Sequence, residues 1–244
     1  MRAGLIMKKK KHRGRNWLIN IFLLLLLVVG LVLVFNNQIK NVIIDHNGEK
    51  FAVSKLTRED IVKNEEKEAS FDFEAVVPAS SETVFQAQWQ NRNLPVVGGI
   101  AIPKVGINLP IFRGVANESL LWGAGTMFPD QKMGAGNYSL ASHRAYDKGY
   151  LFEPLDQTQI GDAIYLTDLE NIYEYTATLN ITVLPTETQY IEEVPDKKLV
   201  TLITCNEIGG TKRVVVQGEL KSVTPVKKAA AEVLGYFEMD VKHY

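Results

Sequence analysis

The spacing of apolar and polar positions divides this chain into regions of different period. Trp17 to Phe35, "WLINIFLLLLLVVGLVLVF", is 19 residues without a charge. At 1.5 Å rise per residue such a helix spans roughly the 30 Å hydrocarbon core of a bilayer. From Asn36 to about Pro78 the pattern turns polar. "LTREDIVKNEEKEAS" offers a capping-box spacing, Thr57-x-x-Asp60, but its apolar positions are too few to define a buried face. The expectation for 36–78 is a partly helical stalk. "SSETVFQAQWQNRN" predicts a short helix with Val84, Phe85 and Trp89 turned towards the body.

From Val96 onward short β-rich runs dominate: "GGIAIP", "GINLPIFRG", "NYSLASH", "DAIYLTD", "IYEYTATLNITVL", "KLVTLITC" and "KRVVVQGEL". Gly, Pro, Asn and Asp separate them. Most lie too close together for long crossover helices, which favours an antiparallel barrel or sandwich over an α/β fold. "NESLLWGAG", capped by Asn117, and "YLFEPLDQ" read as helical interruptions. "VKKAAAEVLGYF" reads as a small docked helix with Val233, Leu234 and Phe237 inward.

Charge sharpens this picture. Residues 1–35 hold seven Lys or Arg and no acid, which leaves 20 of the 27 basic residues facing all 28 acidic ones. An acidic body argues against binding a phosphate backbone, so nucleic acid is not an expected partner. The basic cluster before the apolar run places the N-terminus in the cytoplasm and the body outside the cell membrane. A cleaved signal peptide would have a shorter apolar region ending in small residues, whereas here "NNQIKN" follows. The expected organisation is a basic cytoplasmic tail (1–16), a single transmembrane anchor (17–35), an extracellular stalk (36–78) and a β-rich body (79–244).

The chain has one cysteine, Cys205, at the end of "TLITC". It cannot form an internal disulfide, so it is either an inert thiol or a nucleophile. Of four histidines, His12, His46 and His243 fall outside the β-rich body, and only His143 could supply an imidazole there. Strand alternation places Thr201, Ile203 and Cys205 on one face and Leu202 and Thr204 on the other. If "TLITC" and "KRVVVQ" pair as a hairpin, Arg213 returns within reach of Cys205, while Lys212 points away. A neighbouring cation favours a thiolate, and a guanidinium suits a developing oxyanion. On spacing alone Arg213 is equally well a solvated surface cation. One cysteine and one body histidine are too few for a typical zinc site, and no EF-hand spacing occurs, so neither metal nor cofactor is expected.

"LASH" followed by "TLITC", with an Arg on the next strand, resembles the signature of class A sortases, the housekeeping cysteine transpeptidases of Gram-positive bacteria. "GGIAIPKVGINLPIFRG" and "GAGTMFP" extend the likeness to roughly residues 60–235. The resemblance implies a mainly β fold, a closed barrel of about eight strands with short helices, preceded by the membrane helix. It implies cleavage of LPxTG-type sorting signals of secreted proteins between Thr and Gly. The acyl group then passes to an amine of the cell-wall precursor lipid II. Carried onto this chain, the nucleophile is Cys205, the proton-transfer residue His143 and the oxyanion or carbonyl ligand Arg213. Thr201 and Ile203 line the signal-peptide groove, Thr204 supports substrate or intermediate, and "LPTETQYIEEVPDKK" closes over the Leu-Pro end.

The short gap from Cys205 to Arg213 resembles streptococcal members, and no set of calcium carboxylates can be matched. The lack of a C-terminal membrane span points away from the pilin-polymerising class. In the implied mechanism His143, as imidazolium, protonates the leaving amine. No carboxylate stands third in the constellation, so the reactive ion pair is only partly populated and turnover is slow. Two other readings are compatible with the residues: a membrane-anchored cysteine peptidase that uses only water, and a wall-binding module with an incidental thiol.

Overall fold

A computed structural model describes residues 13–90, 93–145, 149–207 and 210–239. His12, His243 and the side chain of Trp89 lie outside the described residues. Helix α1 (Arg13–Val34) contains the apolar segment Asn16–Val34, with a mean hydropathy of 3.0. It is long and apolar enough to cross a membrane. Its leucines are exposed along the whole run, including Leu23 to Leu27, which is what a helix solvated by lipid requires.

Helices α2 (Asn36–Lys50), α3 (Arg58–Glu65) and α4 (Ser81–Gln90) follow. The expected capping box opens α3: Asp60 N donates to Thr57 Oγ1 at 3.2 Å, and Thr57 N to Asp60 Oδ2 at 3.0 Å. The segment nevertheless has the buried face that its composition did not suggest. Ile44, Ile61, Ala79, Val84 and Ala87 form one apolar cluster with Val96, Phe112, Leu121, Trp122 and Leu151. Asn64 Nδ2 donates to the Val96 carbonyl at 2.8 Å, fastening α3 to the first strand. Each helix contributes only one or a few apolar residues, so no single window shows a stripe. Phe85, expected inward, is 59% exposed. Val84, also expected inward, is buried.

Eight strands close a barrel: β1 (Val96–Ile102), β2 (Ile107–Phe112), β3 (Ala124–Thr126), β4 (Asn137–Ala141), β5 (Ala163–Thr167), β6 (Asn171–Val183), β7 (Leu199–Cys205) and β8 (Arg213–Pro225). Their order around the wall is β1-β2-β3-β4-β7-β8-β6-β5. Most neighbours are antiparallel, but β2·β3 and β4·β7 are parallel, a departure from the all-antiparallel expectation. The first follows from helix α5 (Asn117–Trp122), which carries the chain back between β2 and β3. The second follows from the β5–β6 excursion between β4 and β7.

Within "NESLLWGAG" the helix stops at Trp122 and the end of the run becomes strand β3. Asn117 does not cap α5. Ala116 holds that position, and the Asn117 side chain instead takes Val77 N at 2.8 Å and donates to the Ala75 carbonyl at 3.2 Å. Gly106, at φ +75°, supplies the left-handed turn between β1 and β2.

Inward-facing residues fill the barrel, among them Ile100, Ile111, Leu140, Leu166, Tyr175, Val200, Leu202, Val214 and Val216. Each fully buried aliphatic side chain of this kind contributes roughly 1.5–3 kcal/mol. Because alternate residues fill the interior, Thr201, Ile203 and Cys205 are left on the outer face of β7. Helix α6 (Ala231–Gly235) docks as expected, with Leu234 and Phe237 buried beside Val53, Ala101 and Ile172.

Candidate active site

Strand β7 lies between β4 and β8, and both registers bear on Cys205. In the antiparallel β7–β8 ladder Cys205 pairs directly with Arg213. Val214 points into the core, so Arg213 shares the outer face with the thiol. On the other side β4 pairs in parallel with β7 up to Ala141↔Ile203. That register continues past the strand end: Ser142 N donates to the Ile203 carbonyl at 3.2 Å, and Thr204 Oγ1 to the Ser142 carbonyl at 2.9 Å. His143 follows Ser142 directly, beyond the end of β4 and towards the Cys205 end of β7. Cys205 and Arg213 are thus direct neighbours across β7 and β8, with about 4.8 Å between the strands, and Ser142 ties the His143 segment to β7 on the other side.

Two buried contacts hold the histidine segment. Ser142 Oγ donates to the Gly123 carbonyl at 2.7 Å. Gly123 itself admits no side chain, since a Cβ there would collide with the Pro110 carbonyl and the Phe112 ring. Downstream, Phe152 N donates to the His143 carbonyl at 3.2 Å, and the chain returns as Arg144 pairs with Leu151. Arg144 also meets Glu153 at 3.3 Å and Asp156 at 3.0 Å. No carboxylate among the described residues bonds the imidazole itself.

His143 is partly exposed, but its Nε2 is buried without a hydrogen-bond partner among the described residues. Burial disfavours the charged ring and lowers its pKa from 6.5 to about 4. At neutral pH the resting imidazole is neutral and holds an unused acceptor or donor nitrogen. Between about pH 4 and 6.5 the unfolded chain binds the proton that folded His143 refuses, so this group makes stability rise with pH across that window. His143→Asn is expected to flatten the rise by on the order of 2–3 kcal/mol, read from urea unfolding at a series of pH values. An unchanged slope would show that the ring is solvated.

Cys205 is free and half-buried at the strand end. Arg213 Nη1 donates to the carbonyls of Gly210 at 3.1 Å and Lys212 at 3.0 Å. These bonds hold the guanidinium at the β7–β8 turn and leave its Nε and Nη2 donors without partners among the described residues. Of the other residues singled out in the sequence, Ile203 is a partly exposed neighbour of Cys205 on the outer face. Thr201 shares that face but is fully buried, its hydroxyl donating to Asn137 Oδ1 at 2.6 Å. Thr204 lies on the opposite face, where its hydroxyl secures the Ser142 carbonyl beside His143. Ser142, Gly123, Asn137 and Gln217 had no sequence signal of their own; only the strand registers bring them to the site.

A cavity of about 190 Å³ lies between α2, the β1–β2 turn and Tyr150, and neither Cys205, His143 nor Arg213 lines it. No group of three or more His, Cys, Asp or Glu suited to a metal ion occurs among the described residues.

Residues 100–221 match the family model described as the Sortase domain. The chain is 40% identical to Sortase A of Streptococcus agalactiae serotype III (strain NEM316), over 94% of this chain and 95% of that protein. It is 42% identical to Sortase A of Listeria monocytogenes serovar 1/2a (strain ATCC BAA-679 / EGD-e), over 84% and 92%. Among solved structures, that of Listeria monocytogenes sortase A is similar with a TM-score of 0.55 and 44% identity, covering 59% of this chain and 99% of that one.

Proposed function

The chain belongs to the sortase family and is a sortase A-type cysteine enzyme; from that premise we propose that it cleaves LPxTG-type sorting signals between Thr and Gly and joins the acyl product to lipid II. It does so from the outer side of the cell membrane, held by α1 as a single-pass anchor with the N-terminus in the cytoplasm. The apolar run of α1 and the basic cluster before it support that orientation. The observation that supports the catalytic reading is the direct pairing of Cys205 with Arg213 across β7–β8, with the His143 segment tied to β7 through Ser142.

The lowered pKa of His143 refines the proton path. Because His143 is neutral at rest, the proton it delivers must come from Cys205. The sulfur attacks the Thr carbonyl carbon as its proton passes to His143, giving a tetrahedral oxyanion on the Arg213 side. The imidazolium then protonates the Gly nitrogen, the C–N bond breaks, and a thioester remains on Cys205. In the second half the acceptor amine attacks the thioester and its proton passes to His143. The C–S bond breaks, and the sulfur takes that proton back. An imidazolium that forms only during the reaction, in a site that disfavours it, makes slow turnover the expected behaviour.

Intact-mass spectrometry after incubation with an LPxTG peptide tests this directly. The expected species is the enzyme carrying the peptide's acyl half on Cys205, consumed on addition of an amine with formation of the ligated peptide. A cleavage product that is the same with and without the amine would make the protein a hydrolase instead.

A further inference from the structure

The cavity of about 190 Å³ beside α2 has a chemically one-sided wall. Its floor is apolar: Ile44, Val53, Ile107 and Leu151 line it, and each is at most 4% exposed. Its rim is acidic and exposed. Asp45 and Glu49 stand one turn apart on α2, and Glu238 follows α6. No Lys, Arg or His is among the described residues that line it. None of the three carboxylates is in an ion pair among the described residues. Partial burial, and after it the charge of Glu49, hold the Asp45 carboxyl above its ordinary value, against a smaller opposing pull from His46. These acids form no group suited to a metal ion among the described residues. Their charge is spread around the rim, which suits an organic cation with several donors of its own.

A second observation concerns a donor. Trp122 also lines the cavity and is fully buried, and its indole Nε1 has no hydrogen-bond partner among the described residues. A buried N–H left without an acceptor is costly, so an oxygen brought by a ligand is favoured there. The volume equals that of about six waters in the liquid, room for one small aminoacyl group. Its place in the barrel is also defined. Strand β2 runs parallel to β3, and β3 antiparallel to β4, so Asn108 and Pro110 on β2 lie towards the end at which β4 and β7 finish. Tyr150 and Leu151 of the wall precede Phe152, whose N–H holds the His143 carbonyl. The cavity thus adjoins the histidine segment without including a reacting atom.

We propose that this cavity binds an aminoacyl group with a free primary ammonium: the ammonium at the rim of Asp45, Glu49 and Glu238, the α-carbon on the apolar floor, and the carbonyl oxygen accepting from Trp122 Nε1. Two sources share this chemistry, the amine acceptor of the second half-reaction and a separate amino-acid amide or peptide that is not consumed. The site stands apart from the LPxTG reading; only the choice between the two sources draws on it.

Glycinamide is titrated into the full chain in detergent micelles with no sorting peptide present. Binding is followed by calorimetry and by the Trp122 indole N–H resonance of isotope-labelled protein. The expected result is saturable binding that moves this resonance and is weakened about tenfold by Asp45→Asn or Glu49→Gln. Both side chains are exposed, so Tm should hold in both variants. N-acetylglycinamide lacks the ammonium and ethylamine lacks the carbonyl, and each should bind at least about tenfold more weakly than glycinamide. Absence of glycinamide binding, equal binding by the variants, or a control that binds as well as glycinamide would overturn the proposal. Ligation then separates the sources. If the acceptor occupies the cavity, Asp45→Asn raises the KM for glycinamide as acceptor about tenfold and leaves thioester formation unchanged. If a separate molecule occupies it, binding weakens while the acceptor KM stays constant. Failure of the unsubstituted protein to form a thioester with an LPxTG peptide strikes that reading alone and leaves the binding result standing.

Discussion

Cys205→Ala is expected to abolish both the thioester adduct and ligation, a loss of about 10⁵–10⁶-fold that leaves only background reaction. The reason is the two-step path: without sulfur no covalent intermediate can form, and water or amine must attack an unactivated peptide bond. Stability should change little. Cys205 is half-buried at the last position of β7 and belongs to none of the apolar clusters, so its removal leaves no core cavity. The pairing of a large activity loss with a near-constant Tm separates a nucleophile from a packing residue. Cys205→Ser should be almost as inactive, because an imidazole whose pKa is lowered to about 4 is a poor base for a hydroxyl proton. Mass spectrometry and a peptide–amine ligation assay check both variants. Retained ligation by Cys205→Ala would remove the thioester from the mechanism.

What the sequence revealed of the site depended on how near the partners are along the chain. The facing of Cys205 and Arg213 was legible because a strand, a short turn and a second strand form a local hairpin, in which alternation decides which side chains meet. The position of His143 was not legible in that way. The Thr204–Ser142 contact that aligns it spans 62 residues, and β4 meets β7 in parallel across the intervening strands β5 and β6. Alternation has no reach over such a gap. Being the lone histidine of the body, together with the sortase resemblance, was what pointed to it.

The fold shows the same division. Long alternating runs identified most of the strands, whereas β3, only Ala124–Thr126, was absorbed into a helical reading because three small or polar residues carry no period. The helices before the barrel failed for a different reason. Ile44 and Ile61 are buried at 3% and 0% exposure, but they lie on separate helices and reach one cluster only after the chain folds. A buried face assembled from single residues of several elements leaves no amphipathic signal in any one of them. The environment of His143 is likewise a tertiary property: nothing in "LASHR" says that Nε2 will be enclosed, yet that enclosure sets the resting protonation state and hence the direction of the first proton transfer.

Arg213→Ala is expected to lower kcat for thioester formation by about 10²–10³-fold while KM changes only a few-fold. An oxyanion ligand acts where charge develops, so its loss appears in the transition state more than in binding. Arg213→Lys should recover only part of the loss. Nη1 is occupied by the Gly210 and Lys212 carbonyls, and that anchorage fixes the plane in which the other donors of the guanidinium are presented. A lysine ammonium keeps the charge but has neither the fork nor a second edge with which to hold the turn and serve the oxyanion together. If Arg213 only attracted the thiolate, Lys would restore most of the activity, and the alkylation rate of Cys205 would fall in the alanine variant. If it serves the oxyanion, alkylation, which forms none, proceeds within a few-fold of normal in both variants while acylation does not. Single-turnover acylation measured beside iodoacetamide alkylation decides between these roles. The direct pairing of Cys205 with Arg213 across β7 and β8 favours the oxyanion, because a residue one register step away could supply charge but not a donor beside the attacked carbon.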